Sequence, residues 1–136
     1  MRLATFNVEN MFDRPSIMNL PSWQNGEKIL QDFARISDLI QRQQYSDSDK
    51  QEMLSIMKRN TGLATKGESK YILLNEIRGK FLKKQQQNTP AKILAGGRKD
   101  WIGWFELKRE TVKETAIENT ASGIHEVNAH IFFIIE

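Results

Sequence analysis

The sequence has no cysteine. Disulfides, Cys-based zinc sites and thiol nucleophiles are therefore excluded, and the chain is suited to a reducing compartment. A cytoplasmic location is expected. No apolar run approaches the roughly 18 residues that a membrane helix needs. No basic stretch followed by an apolar core opens the chain, so no signal peptide and no membrane partner are expected. Charge of one sign is scarce as well. The net charge is +3 on 136 residues, which suits a phosphate-rich partner without requiring one. Hydrophobic residues make up 39 % and charged residues 27 %, slightly polar for a compact domain. The length suffices for one sizeable core, and neither a repeat nor a boundary divides it, so residues 1–136 read as a single domain.

What is present is a mixture of strand and helix periodicities. Residues 2–8 alternate, with Leu3, Thr5 and Asn7 on one side and Ala4, Phe6 and Val8 on the other. Asn10, Asp13 and Pro15 supply turn chemistry after them. Residues 16–26 read as loop. A helix is predicted over 27–43, from Ile29, Phe33, Ile36 and Ile40 widened by Leu30 and Leu39. A second is predicted over 47–59, with Ser46 as N-cap, Asp47 and Asp49 at its start and Lys58 and Arg59 at its end. Residues 71–76 and 80–84 read as a hairpin turning near Arg78-Gly79. Short strands follow over 91–95 and 101–108, then a helix over 112–127. The last segment, 129–135, is apolar on both faces, as a central strand of a covered sheet would be. The helical pair at 27–59 reads as an insertion between the first strand and the later sheet.

Two segments carry chemistry. Thr5-Phe6-Asn7-Val8-Glu9-Asn10 is a strand running into a polar cluster. At the other end, Glu118-Asn119-Thr120-Ala121 leads through Ile124 to Ala129-His130-Ile131-Phe132-Phe133-Ile134-Ile135-Glu136, a strand ending in a carboxylate. Together they resemble the opening of the endonuclease/exonuclease/phosphatase family. Met1–Pro15 and Asp100–Lys108 are similar to a bacterial branch that carries an insertion between these motifs. The resemblance implies an α/β fold, part of a four-layer α/β sandwich with a helical insertion. It implies that Glu136 holds a divalent ion, Mg²⁺ or Mn²⁺, for which a hard carboxylate oxygen is the right ligand. It assigns Asn7 to the metal and phosphate, where a neutral amide hydrogen-bonds oxygen without adding charge. If the two strands are parallel neighbours, Asn7 and Glu136 meet at their carboxyl ends, where open α/β sheets place ligands.

The chain departs from the family in lacking its later Asp-x-Asn pair and its late Asp-His pair. The resemblance therefore implies the N-terminal part of a divalent-metal-dependent phosphoesterase, a hydrolase of phosphate esters or nucleic acid. It is expected to be inactive alone, to bind metal weakly, and to self-associate or take a second polypeptide carrying the missing half. The Glu136 α-carboxylate adds a second charge at the metal position. The alternative is a small non-enzymatic module that binds nucleic acid or protein.

Other features have plainer readings. His125 within a helix and His130 at a strand start read as structural. Trp101 and Trp104 could stack on bases, but packing is the ordinary reading. Gly96-Gly97-Arg98-Lys99 lacks the Gly-Lys-Ser/Thr phosphate-loop pattern and reads as a turn. Lys80, Lys83 and Lys84 read as a solvated basic face. Glu106, Glu110 and Glu114 lack the supporting ligands of a metal cluster.

Overall fold

The computed structural model describes residues 1–7, 13–110 and 114–135. Its strands are β1 (Leu3–Asn7), β2 (Arg14–Pro15), β3 (Ile72–Arg78), β4 (Leu82–Lys83), β5 (Lys92–Ile93), β6 (Ile102–Leu107), β7 (Arg109–Glu110) and β8 (Ile131–Ile135). The helices are α1 (Trp23–Leu39), α2 (Asp47–Arg59), α3 (Leu63–Lys66) and α4 (Glu114–Val127), with 3₁₀ turns at Ser16–Asn19 and Arg98–Asp100. The fold is mixed α/β, and among the described residues the strands associate in four two-stranded sheets: β1–β8, β2–β7, β3–β6 and β4–β5. Among the described residues no helix is long and apolar enough to cross a membrane.

The chain divides into two compact units. One is Met1–Pro15 with Arg109–Glu136; the other is Ser16–Lys108. The helices expected as an insertion over 27–59 lie inside the second unit, together with β3 to β6.

In the central unit, α2 has the predicted bounds because its signals are local and consistent. The Ser46 hydroxyl accepts from the Asp49 backbone N–H at 3.1 Å, and the Asp49 carboxylate accepts from the Ser46 N–H at 3.0 Å. This reciprocal capping box satisfies two donors at the helix start. The Ser46 backbone N–H and hydroxyl hold the Asp49 carboxyl below its ordinary range, with Arg42 adding to them. The helix α1 starts at Trp23, four residues before the predicted start, and stops at Leu39. No apolar side chain continues the stripe through Gln41–Gln44, so nothing holds those residues helical. Met53, Ile56 and Met57 of α2 are buried against Ile36, Leu39 and Ile40.

The predicted hairpin over 71–84 does not form. Instead β3 pairs antiparallel with β6, setting Ile72 opposite Leu107 and Leu74 opposite Phe105. Phe81 and Leu82 are both buried, although adjacent in sequence. A strand would send them to opposite faces, one of them into solvent. The Glu76 carboxylate accepts from the Phe81 and Leu82 backbone N–H groups at 2.8 and 3.1 Å, and turns the chain inward. Gly79 takes φ +73°, and a Cβ there would strike the Asp100 carbonyl. The pairing β4–β5 then runs Leu82 against Ile93.

The centre of the core is aromatic. Phe81 lies 4.4 Å from Trp101, centroid to centroid, and meets Tyr45 and Phe105 edge-on. Burying Phe81 fully stabilises the unit by about 2–3 kcal/mol relative to exposure. The Trp101 indole N–H donates to the Tyr45 hydroxyl at 3.0 Å, and that hydroxyl donates to the Ile40 carbonyl at 2.7 Å. Both polar groups of the aromatic cluster are thereby satisfied away from water.

Candidate functional site

In the terminal unit, β1 and β8 run parallel, in a register from Leu3↔Ile131 to Asn7↔Ile135. The helix α4 precedes β8. It ends at Asn128, a non-glycine residue at φ 46°, the left-handed conformation that helix exits commonly use and asparagine tolerates. The chain then returns to β1 through three bonds. The His130 and Ile131 backbone N–H groups donate to the Arg2 carbonyl, and the Arg2 N–H donates to His130 Nδ1 at 3.0 Å. His130 thus sets the register of the pair. One face of β1 is half-buried through Ala4 and Phe6, and a Cβ at Gly123 of α4 would stand in ordinary contact with the Phe6 ring.

Asn7 ends β1 and is exposed. Its partner Ile135 immediately precedes Glu136, which lies outside the described residues, as do Val8, Glu9 and Asn10 of the first motif and the predicted helix start at Val112. The described part of the site is therefore an amide at the carboxyl end of β1 with Ile135, the last residue of the parallel strand β8, opposite it. One amide oxygen does not hold a hard cation that wants about six oxygens. Among the described residues no group of three or more His, Cys, Asp or Glu is placed to hold a metal.

The remaining sequence candidates separate by location. Trp101 is 1 % exposed and belongs to the core, whereas Trp104 is 45 % exposed. The Trp104 indole N–H donates to Glu106, which also accepts from the Asn75 amide at 2.8 Å. The Gly96 turn closes on itself: the Gly96 N–H donates to the Asp100 carboxylate at 2.6 Å, and Arg98 donates to the Gly103 carbonyl. A carboxylate of the turn thus takes the donor that a phosphate would need. Lys80 pairs with Glu76 at 3.7 Å, and Lys83 and Lys84 are exposed. His125 sits in the last turn of α4.

Two polar groupings escaped the sequence reading. Asp32 is buried within the apolar stripe of α1 and accepts from Arg59 at 2.6 Å and from Asn60 at 3.0 Å, tying α1 to the end of α2. Its signal was present: it falls between Ile29 and Ile36, on the inward face of the helix. The second is a group of lysines around Glu68. Lys108 Nζ lies 2.8 Å from the Glu68 carboxylate. That contact, reinforced by Lys66 and Lys84, holds the Glu68 carboxyl below its ordinary range. These lysines come from separated segments, and no local pattern joins them.

Comparison with family models, curated proteins and solved structures gave no match to this chain.

Proposed function

We propose that the terminal unit is the opening part of a divalent-metal-dependent phosphoesterase site, within a four-layer α/β sandwich to which this chain contributes its first strands. The observation that carries this reading is the parallel pairing of β1 with β8, which sets Asn7 opposite the residue before Glu136. Asn7 and Glu136 would hold Mg²⁺ or Mn²⁺ weakly, and that ion would supply electrophilic assistance at phosphate. The Asn7 amide would orient a phosphate oxygen. The groups that activate water and stabilise the transition state, an Asp-x-Asn pair and an Asp-His pair, do not occur in the sequence. They would come from another segment or a second polypeptide, and the chain alone is inactive.

The test is Mn²⁺ titration followed by nuclear magnetic resonance. Paramagnetic broadening should fall first on the Asn7 side-chain amide and the Ile135 backbone amide, and should disappear in Glu136→Gln. Broadening centred elsewhere, or unchanged by that substitution, refutes the site.

A second reading draws support from the central unit, whose core of Trp101, Phe81 and the α1–α2 stripe is assembled within Ser16–Lys108. Such a unit suits a binding module independent of any phosphoesterase chemistry. Turnover of a general phosphodiester substrate that Asn7→Ala abolishes would decide against this second reading, and against the expectation of inactivity.

A further inference from the structure

The central unit carries a basic cleft unrelated to the terminal strands. Its lining comes from Thr61 and Thr65, from Lys66 and Lys70, and from Lys108 at the exit of β6, around a volume of about 430 Å³. Two glycines in the left-handed region shape it. Gly62 takes φ +97°, and a Cβ there would strike the Glu68 carbonyl, so the chain folds back on itself across residues 62–68. Gly67, at φ +83°, leaves room beside it for the Lys84 side chain, whose Nζ lies 3.4 Å from where a Cβ would stand. The backbone is pinned from both sides: Gln85 N–H donates to the Ala64 carbonyl, and Lys108 N–H to the Tyr71 carbonyl.

The ammonium groups of Lys66, Lys84 and Lys108 thereby act on a single carboxylate, that of Glu68, and Lys70 lines the same cleft. Charges within a Debye length of one another, roughly 10 Å at 0.1 M salt, add their fields. A second hollow of about 200 Å³ adjoins the first and shares Thr61, Ser69 and Lys70 with it. Its walls include Ile29 and the half-exposed ring of Tyr71, and Lys70 Nζ lies 5.2 Å from that ring's centroid. A charged cleft opening beside an aromatic and aliphatic wall matches a ligand that alternates anionic and flat apolar groups. Lys66 and Lys70 are exposed, and Lys108 is half-buried against Glu68, which suits a strand passing over the cleft better than an enclosed small anion.

We propose that this cleft binds single-stranded nucleic acid, with backbone phosphates over Lys66, Lys70 and Lys108 and a base against Tyr71. Phosphate contacts supply sequence-independent attraction, and the ring supplies stacking that any base can use. The proposal does not depend on the phosphoesterase reading, since none of its residues belongs to the terminal unit.

The test is fluorescence anisotropy of the full chain with a labelled oligothymidylate of about twelve nucleotides, from ~50 to ~200 mM salt. Lys66→Glu with Lys70→Glu should weaken binding at least tenfold and lower the log–log salt slope by about 1.4, two phosphate contacts at roughly 0.7 each. Arg78→Glu with Lys99→Glu makes the same change in net charge on exposed residues that line neither hollow and should alter binding less than twofold. Tyr71→Leu should weaken binding at least fivefold at unchanged salt slope. If charge reversal unfolds the chain by circular dichroism, Lys66→Gln with Lys70→Gln replaces it, with the same tenfold expectation. Absence of binding at the lowest salt, equal weakening by the two charge-reversed pairs, or equally good displacement by polyglutamate overturns the proposal.

Discussion

Removing one oxygen atom from the core gives a sharp test of the central packing. In Tyr45→Phe the ring and its edge-on contact with Phe81 remain, so the cavity created is no larger than a hydroxyl. What changes is hydrogen bonding. The Trp101 indole N–H, on a residue 1 % exposed, loses its acceptor, and the carbonyl of Ile40, equally buried, loses its donor. Leaving a buried polar group unsatisfied costs about 1–3 kcal/mol, so two such groups predict a loss of about 2–6 kcal/mol. Equilibrium urea unfolding followed by tryptophan fluorescence reads this directly. The midpoint should fall with an unchanged slope, since the surface exposed on unfolding is the same. Burial also raises the Tyr45 hydroxyl pKa above its ordinary value, against the opposing effect of Trp101. A raised folded-state pKa gives stability that is fully present below the unfolded value of about 10 and is lost as pH rises through the folded value. The wild-type chain should therefore show an alkaline loss of stability that Tyr45→Phe reduces. A stability change under about 0.5 kcal/mol, the size expected of an ordinary surface substitution, would mean that water reaches both groups and that the hydrogen-bonded chain is not sealed.

Three further outcomes are expected. The depressed Asp49 carboxyl contributes stability that is present above its unfolded pKa and lost as pH falls through the folded one; acid unfolding should be shallower in Asp49→Asn, and an identical acid limb would contradict the capping box. Asp32→Ala should cost about 1–2 kcal/mol in urea unfolding, the half-exposed Arg59 recovering water while the buried Asn60 amide loses an acceptor; a neutral result would show that the network adds nothing. Light scattering at micromolar concentration should find self-association, because Phe133 is 56 % and Ile134 63 % exposed on a sheet that, among the described residues, has two strands; Phe133→Lys should restore the monomer, and a monomeric wild-type chain that binds no hydrophobic dye would refute the idea.

The sequence was readable where its signals were local. The helix α2 was legible to the residue because Ser46, Asp49, Lys58 and Arg59 mark both ends by hydrogen bonding and charge. The strands β1 and β8 were legible from alternation and from an unbroken apolar run. Partner choice was not. The alternating residues 71–76 fit Lys80–Lys84 or Trp101–Lys108 equally well by pattern, and the decision rests on Phe81 and Leu82 both turning inward, which only the assembled core dictates. Of the candidate phosphoesterase site, the parallel pairing supposed from the resemblance is present between β1 and β8, with Asn7 opposite Ile135, while Glu136 lies outside the described residues. The lysine cleft was invisible, because residues 66, 70, 84 and 108 converge only through the left-handed turns at Gly62 and Gly67.

The pairing of β1 with β8 has a kinetic meaning. Arg2 and His130 meet across 128 residues of chain, a closure that is entropically unfavourable until something shortens it. The central unit does so. Its own first and last residues are joined by a bond from the Ser16 N–H to the Lys108 carbonyl at 2.7 Å. Once that unit has folded, only the stretches from Arg2 to Ser16 and from Lys108 to His130 remain to be closed. The effective loop falls to roughly a quarter, which lowers the closure cost by about 1 kcal/mol at ~0.6 per doubling. Folding should thus run from the middle outward, with the terminal strands zipping last. Substitutions in β1 or β8 should then hasten unfolding of that pair while leaving the folding rate of the central unit unchanged.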